Sequence, residues 1–82
     1  MWKIYILHSE KIQRTYVGCC HDIEERLRRH NSGQVKATKN GIPWKIIYQE
    51  EIPSYPVARK REKFYKSGAG RRKIAKIFEL II

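Results

Sequence analysis

The sequence predicts a small α+β fold, a three-stranded antiparallel sheet flanked by helices in the order β-β-α-β-α-α. Eighty-two residues supply one modest core and no second, so residues 1–82 read as a single domain. Three stretches of strand length are rich in aromatic and β-branched residues, and three others space apolar residues as a helix does. A composition 41% hydrophobic and 11% aromatic belongs to a chain that folds, not to a disordered tail.

Trp2 to Leu7 reads as the first strand. Period-two alternation puts Ile4 and Ile6 on one face, and Lys3, Tyr5 and Leu7 on the other. Ser9 to Gln13 is polar and turn-like, and Arg14 to Cys20 returns as a second strand, making a hairpin. Val17 and Cys19 share one face of that strand, and Arg14, Tyr16 and Gly18 the opposite one. An even loop would bring Tyr5 directly across from Tyr16, and an odd one would shift the register. Asp22 has the character of a helix N-cap, with Glu25 three residues on as a variant capping box. The helix should run from Ile23 to His30 and stop at Asn31-Ser32-Gly33.

Gln34 to Pro43 is polar, basic and punctuated by Gly and Pro, which predicts a loop or frayed turn. Trp44 to Ile52 is the third strand. Ser54 can cap a second helix, with Pro56 tolerated in its first turn. Its stripe is Val57, Arg61 and Phe64, and it should end at Ser67-Gly68. Arg71 to Ile82 is a third helix, with Ile74, Ile77, Phe78 and Ile81 at helical spacing.

Charge narrows the function. Eighteen Lys and Arg against eight Asp and Glu give a formal +10, a balance that matches a polyanion, most commonly nucleic acid. Lys36, Lys39, Arg59, Lys60, Arg71 and Arg72 are candidate phosphate contacts, although each also reads as a solvated surface charge. No run nears the ~18 apolar residues of a membrane span, and Met1 to Leu7 is too short for a secretory core. A cytoplasmic location is the expectation. Cys19 and Cys20 have no other cysteine to pair with and read as reduced thiols. With His21 they suggest zinc, but adjacent side chains diverge and no second ligand pair follows.

Five residues carry possible chemistry: Tyr5, Tyr16, Arg26, His30 and Glu62. Tyrosines on a hairpin are ordinarily packing residues, yet a phenol beside an activated water can relay a proton. Arg26 and His30 are four apart and share a helix face turned toward the sheet; their plainer readings are a basic face and a C-terminal dipole partner. Glu62 is the only acid among residues 59–66, amid Arg59, Lys60, Arg61, Lys63 and Lys66. It reads either as an i,i+4 partner of Lys66 or as the carboxylate of a hard divalent cation.

Taken in order, Lys3-Ile4-Tyr5, Tyr16-Val17-Gly18, Arg26, His30 and Glu62 resemble the GIY-YIG nuclease superfamily. Thr38 with Pro43-Trp44-Lys45-Ile46, and the run from Ala58 through Lys66-Ser67-Gly68, resemble its small stand-alone URI-type branch. Lys3 stands where the family name has Gly, and a terminal Asn common in relatives has no counterpart between Ser67 and Arg72. The resemblance implies an endonuclease that hydrolyses DNA phosphodiesters with little sequence preference, branched or damaged DNA included. Glu62 would hold Mg²⁺ or Mn²⁺, Tyr5 alone or with His30 would activate water, Arg26 would stabilise phosphate charge, and Tyr16 would position the reactants. The competing expectation is a binding module of the same fold that acts with a protein partner or a second copy.

Overall fold

A computed structural model describes residues 1–81; the side chain of Ile81, one of the expected apolar positions, and the whole of Ile82, the expected helix end, lie outside the described residues. The strands are β1 (Trp2–Ser9), β2 (Arg14–Cys20) and β3 (Trp44–Ile52), and the helices α1 (Ile23–Asn31), α2 (Tyr55–Tyr65) and α3 (Gly68–Ile81). The sheet order is β2-β1-β3 with both pairings antiparallel, so β1 is central and both of its ladder edges are occupied.

The alternation of β1 divides the core in two. Ile4 and Ile6 pack with Val17 and Ile52 beneath Ala58 and Tyr65 of α2 and Ile74 of α3. Tyr5 and Leu7 face the other way, with Cys20, Trp44 and Ile23 of α1. The sheet is thus covered on both faces, α1 on one side and α2 with α3 on the other. Asp22 caps α1 as expected, its carboxylate accepting from the Glu25 backbone N–H at 3.2 Å.

The hairpin register departs from direct Tyr5–Tyr16 pairing. Ser9 pairs with Arg14 around a four-residue loop, so the parity is even, but Tyr5 lies across from Gly18 and Tyr16 from Leu7. Packing accounts for the choice. The Tyr5 ring and hydroxyl lie over Gly18, in space that any Cβ there would occupy. The two tyrosines still share a face, offset by one diagonal, with ring centroids 6.4 Å apart.

Three local expectations are revised. The buried residues of α2 are Ala58 and Tyr65, with Arg61 half-buried between them, while Val57 is 43% exposed, because α2 meets the sheet rotated from the apolar stripe. The segment from Gln34 to Pro43 contains a 3-10 turn at Lys36–Gly41. Helix α3 begins at Gly68, ahead of Arg71, because Ser67 turns the chain and its hydroxyl accepts from the Gly70 N–H.

Gly70 lets the backbones of α2 and α3 meet: a Cβ there would overlap Phe64 and Tyr65 main-chain atoms, which cannot swing aside. Gly70→Ala should therefore cost about 1–3 kcal/mol of stability, read by denaturant unfolding. An unchanged midpoint would mean that the two helices can slide apart freely.

Candidate active site

Four of the five candidate residues come from the layer between the sheet and α1. The Tyr5 hydroxyl lies 2.9 Å from His30 Nε2, and His30 Nδ1 lies 2.7 Å from the Thr38 hydroxyl. Tyr16 meets the His30 ring edge-on at 5.0 Å between centroids. Tyr5 and His30 are buried, at 2% and 0% exposure, whereas Tyr16 and Arg26 are half-buried and reach the surface.

Glu62 arrives from the opposite face, on α2. It accepts from Lys66 Nζ at 2.9 Å and from Arg59 Nη1 at 3.5 Å. Arg59, Lys60, Lys63 and Lys66 line a depression around it. Arg26 and Glu62 have opposing electrostatic effects on the Tyr5 phenol and the Cys19 thiol, Glu62 raising and Arg26 lowering each.

The electrostatics set the resting protonation. Burial first, then Tyr16, with lesser contributions from Cys20 and last Glu62, push the Tyr5 hydroxyl above the ordinary tyrosine range, against the pull of Arg26. Burial and the Arg26 charge push His30 below the ordinary histidine value. At neutral pH the pair is a neutral phenol beside a neutral imidazole.

The basic candidates divide. Arg59 and Lys60 adjoin Glu62, and Lys66 continues the basic surface into a depression that holds Tyr16 and Arg71. Lys36 and Lys39 stand exposed on the 3-10 turn and do not line the Glu62 depression, and Arg72 is exposed on α3.

Two residues have supporting roles that the sequence does not signal. Thr38, which the sequence marks only through its resemblance to the URI-type branch, is one: its backbone carbonyl accepts from the Trp44 indole N–H at 2.7 Å, which seats the 3-10 turn against β3. Nothing local marks that hydroxyl, which lies in a polar, basic loop. The other is Glu50 on β3, whose carboxylate accepts two bonds from Arg61, at 2.7 and 3.1 Å, with Tyr48 and Tyr65 hydroxyls at 2.7 and 3.1 Å. The Arg61 bonds hold Glu50 below the usual carboxylate range and pin α2, one residue from Glu62, to the sheet.

A family model described as the GIY-YIG catalytic domain matches residues 1–75. A UPF0213 protein of Staphylococcus saprophyticus is 38% identical over 77 residues, 93% of each chain. A UPF0213 protein of Streptococcus sanguinis is 37% identical over 65 residues, covering 78% of this chain and 75% of that one. A third, of Syntrophus aciditrophicus, is 35% identical over 77 residues, 90% and 88% of the two chains. No solved structure matches.

Proposed function

The chain belongs to the GIY-YIG family, and on that premise we propose that it is a divalent-metal-dependent endonuclease hydrolysing DNA phosphodiester bonds. The observation that supports this most is the buried Tyr5–His30 hydrogen bond, 2.9 Å from hydroxyl to Nε2, with the Tyr16 ring 5.0 Å from the imidazole.

Glu62 fits a hard cation. Among the described residues no three His, Cys, Asp or Glu side chains cluster, and Glu62 is the one acid lining its depression, so a metal here would have one protein carboxylate, a pattern Mg²⁺ accepts when water and phosphate oxygens fill its other positions. The Lys66 and Arg59 partners are more than half exposed, so releasing Glu62 from them costs little. Bound there, Mg²⁺ or Mn²⁺ supplies Lewis-acid assistance at the phosphate.

The remaining work falls to the chain. Arg26 stabilises charge as it builds on the phosphate oxygens. Tyr5 takes a proton from the attacking water while passing its own to His30 Nε2, so the resting protein needs no phenolate. Tyr16 holds the imidazole plane and flanks the nucleophile. Arg59, Lys60 and Arg71 seat the strand by its phosphates, which orient without reading sequence.

The test is cleavage of end-labelled branched and linear DNA with Mg²⁺ or Mn²⁺, with and without a chelator. Cutting that the chelator stops is the expected result. If about five phosphates are engaged, log K against log salt should fall with a slope near −4 or −5. Tight, salt-sensitive binding without cutting would favour a binding module that acts with a partner, and a slope near zero would remove nucleic acid altogether.

A further inference from the structure

We infer that Thr38 is a positioning residue that fixes the His30 tautomer with its proton on Nδ1, leaving Nε2 free to accept from the Tyr5 hydroxyl. The tautomer follows from counting protons along the buried row, and its consequence for rate rests on the nuclease reading above.

Tyr5 Oη, His30 Nε2, His30 Nδ1 and Thr38 Oγ1 form a continuous row at 2.9 and 2.7 Å, and Thr38 Oγ1 lies 3.3 Å from the Val35 carbonyl. Three protons must be distributed along it, in one of two senses. In the first, Tyr5 O–H donates to Nε2, Nδ1–H donates to Thr38, and Thr38 O–H donates to Val35. Every proton then has an acceptor. The Val35 carbonyl also receives the Thr38 N–H at 3.1 Å, within the capacity of its two lone pairs. In the reverse sense Thr38 donates to Nδ1 and Nε2–H donates to the Tyr5 oxygen. In the resting protein the Tyr5 proton then has no acceptor among the described residues, and at 2% exposure Tyr5 is all but closed to bulk water. Buried polar hydrogens are paired, so the first sense prevails.

The placement of Thr38 is set by more than this one bond. Its backbone N–H is tied to Val35 and its carbonyl to the Trp44 indole, and Asn31 of α1 bonds both the N–H and the carbonyl of Trp44, at 2.6 and 3.1 Å. The hydroxyl therefore comes to His30 as part of a turn held by α1 and β3. The outcome is directional: with Nδ1 carrying the proton, Nε2 presents a lone pair to Tyr5, and a proton can leave Tyr5 toward His30. With the proton on Nε2, the same two rings at the same distance could not make that transfer.

The experiment is ¹⁵N NMR of the imidazole in the full chain, with His30 assigned by loss of its signals in His30→Gln. The wild type should show a protonated Nδ1 and a lone pair on Nε2 at neutral pH. Thr38→Val, similar in shape and without an acceptor, should lose that preference, and Thr38→Ser should keep it. In cleavage, Thr38→Val should fall about 10²-fold and Thr38→Ser should recover most of the rate. A protonated Nε2 in the wild type, or an unaltered ¹⁵N pattern in folded Thr38→Val, would overturn the inference. Should Thr38→Val fail to fold, the wild-type spectrum still decides. A chain that cuts no DNA would end the nuclease reading and leave the tautomer result standing.

Discussion

Glu62→Gln is expected to abolish metal-dependent cleavage, by ~10³-fold or more, equivalent to about 4 kcal/mol of transition-state stabilisation. Glutamine keeps the size of the side chain and removes the charge that a hard cation requires. No neighbouring acid can substitute, because residues 59–66 contain no other and the described residues form no alternative ligand cluster. Stability should change little: the ion pairs lost are to exposed Lys66 and Arg59, a class worth about 0–1 kcal/mol. DNA affinity should hold or rise slightly, since one negative charge leaves a basic surface. Single-turnover cleavage with Mn²⁺, beside a binding titration, measures both. Wild-type cutting by the glutamine variant would remove Glu62 from the metal site.

Tyr5→Phe carries the second large effect. Loss of the hydroxyl removes the group between the attacking water and His30, and the rate should fall ~10²–10⁴-fold. It also leaves His30 Nε2 buried without its partner, which costs about 1–3 kcal/mol in thermal or denaturant unfolding. The pH dependence separates catalysis from folding. The groups facing His30 are Arg26 on α1, Tyr5 on β1, Tyr16 on β2 and Thr38 on the 3-10 turn; burial and Arg26 hold its pKa below the ordinary histidine value. Because the relay needs a neutral imidazole, the acid limb of the cleavage rate should lie below about pH 6.5. Stability has the same sign: the unfolded chain takes up the proton first, so stability falls as pH drops below the ordinary value and levels off below the folded one. An acid limb above the ordinary histidine range would exclude neutral His30 as the acceptor.

Much of the candidate site was legible because its residues lie on regular elements. Periodicity assigns each of Tyr5 and Tyr16 to a face of its own strand, and Arg26 and His30 to one face of a helix; that the tyrosines share a face depends on the loop parity. Glu62 stood out by charge contrast. The hairpin register was not legible, because strand pattern and turn composition settle neither the parity of the loop nor the pairing within a parity. Contact of Tyr5 with Gly18 selects among the pairings, and that contact exists only once the strands are paired.

The supports were illegible for a related reason. Thr38 meets His30 across 8 residues of chain, and Glu50 meets Arg61 across 11, through connections with no fixed period. The sequence shows Arg61 only as a member of the stripe with Val57 and Phe64, when its bonds to Glu50 tie α2 to the sheet.

By itself the sequence determined the element order, the division of β1 residues between its two faces, the Asp22 cap and the excess of positive charge. These depend on neighbours within a turn or a strand, where sterics and hydrogen bonding act locally. Only the tertiary structure decided which hydroxyl orients His30, which guanidinium anchors the helix carrying Glu62, and which tyrosine lies over Gly18. Those outcomes turn on ångström-scale distances between segments, and packing sets such distances only when every layer is in place.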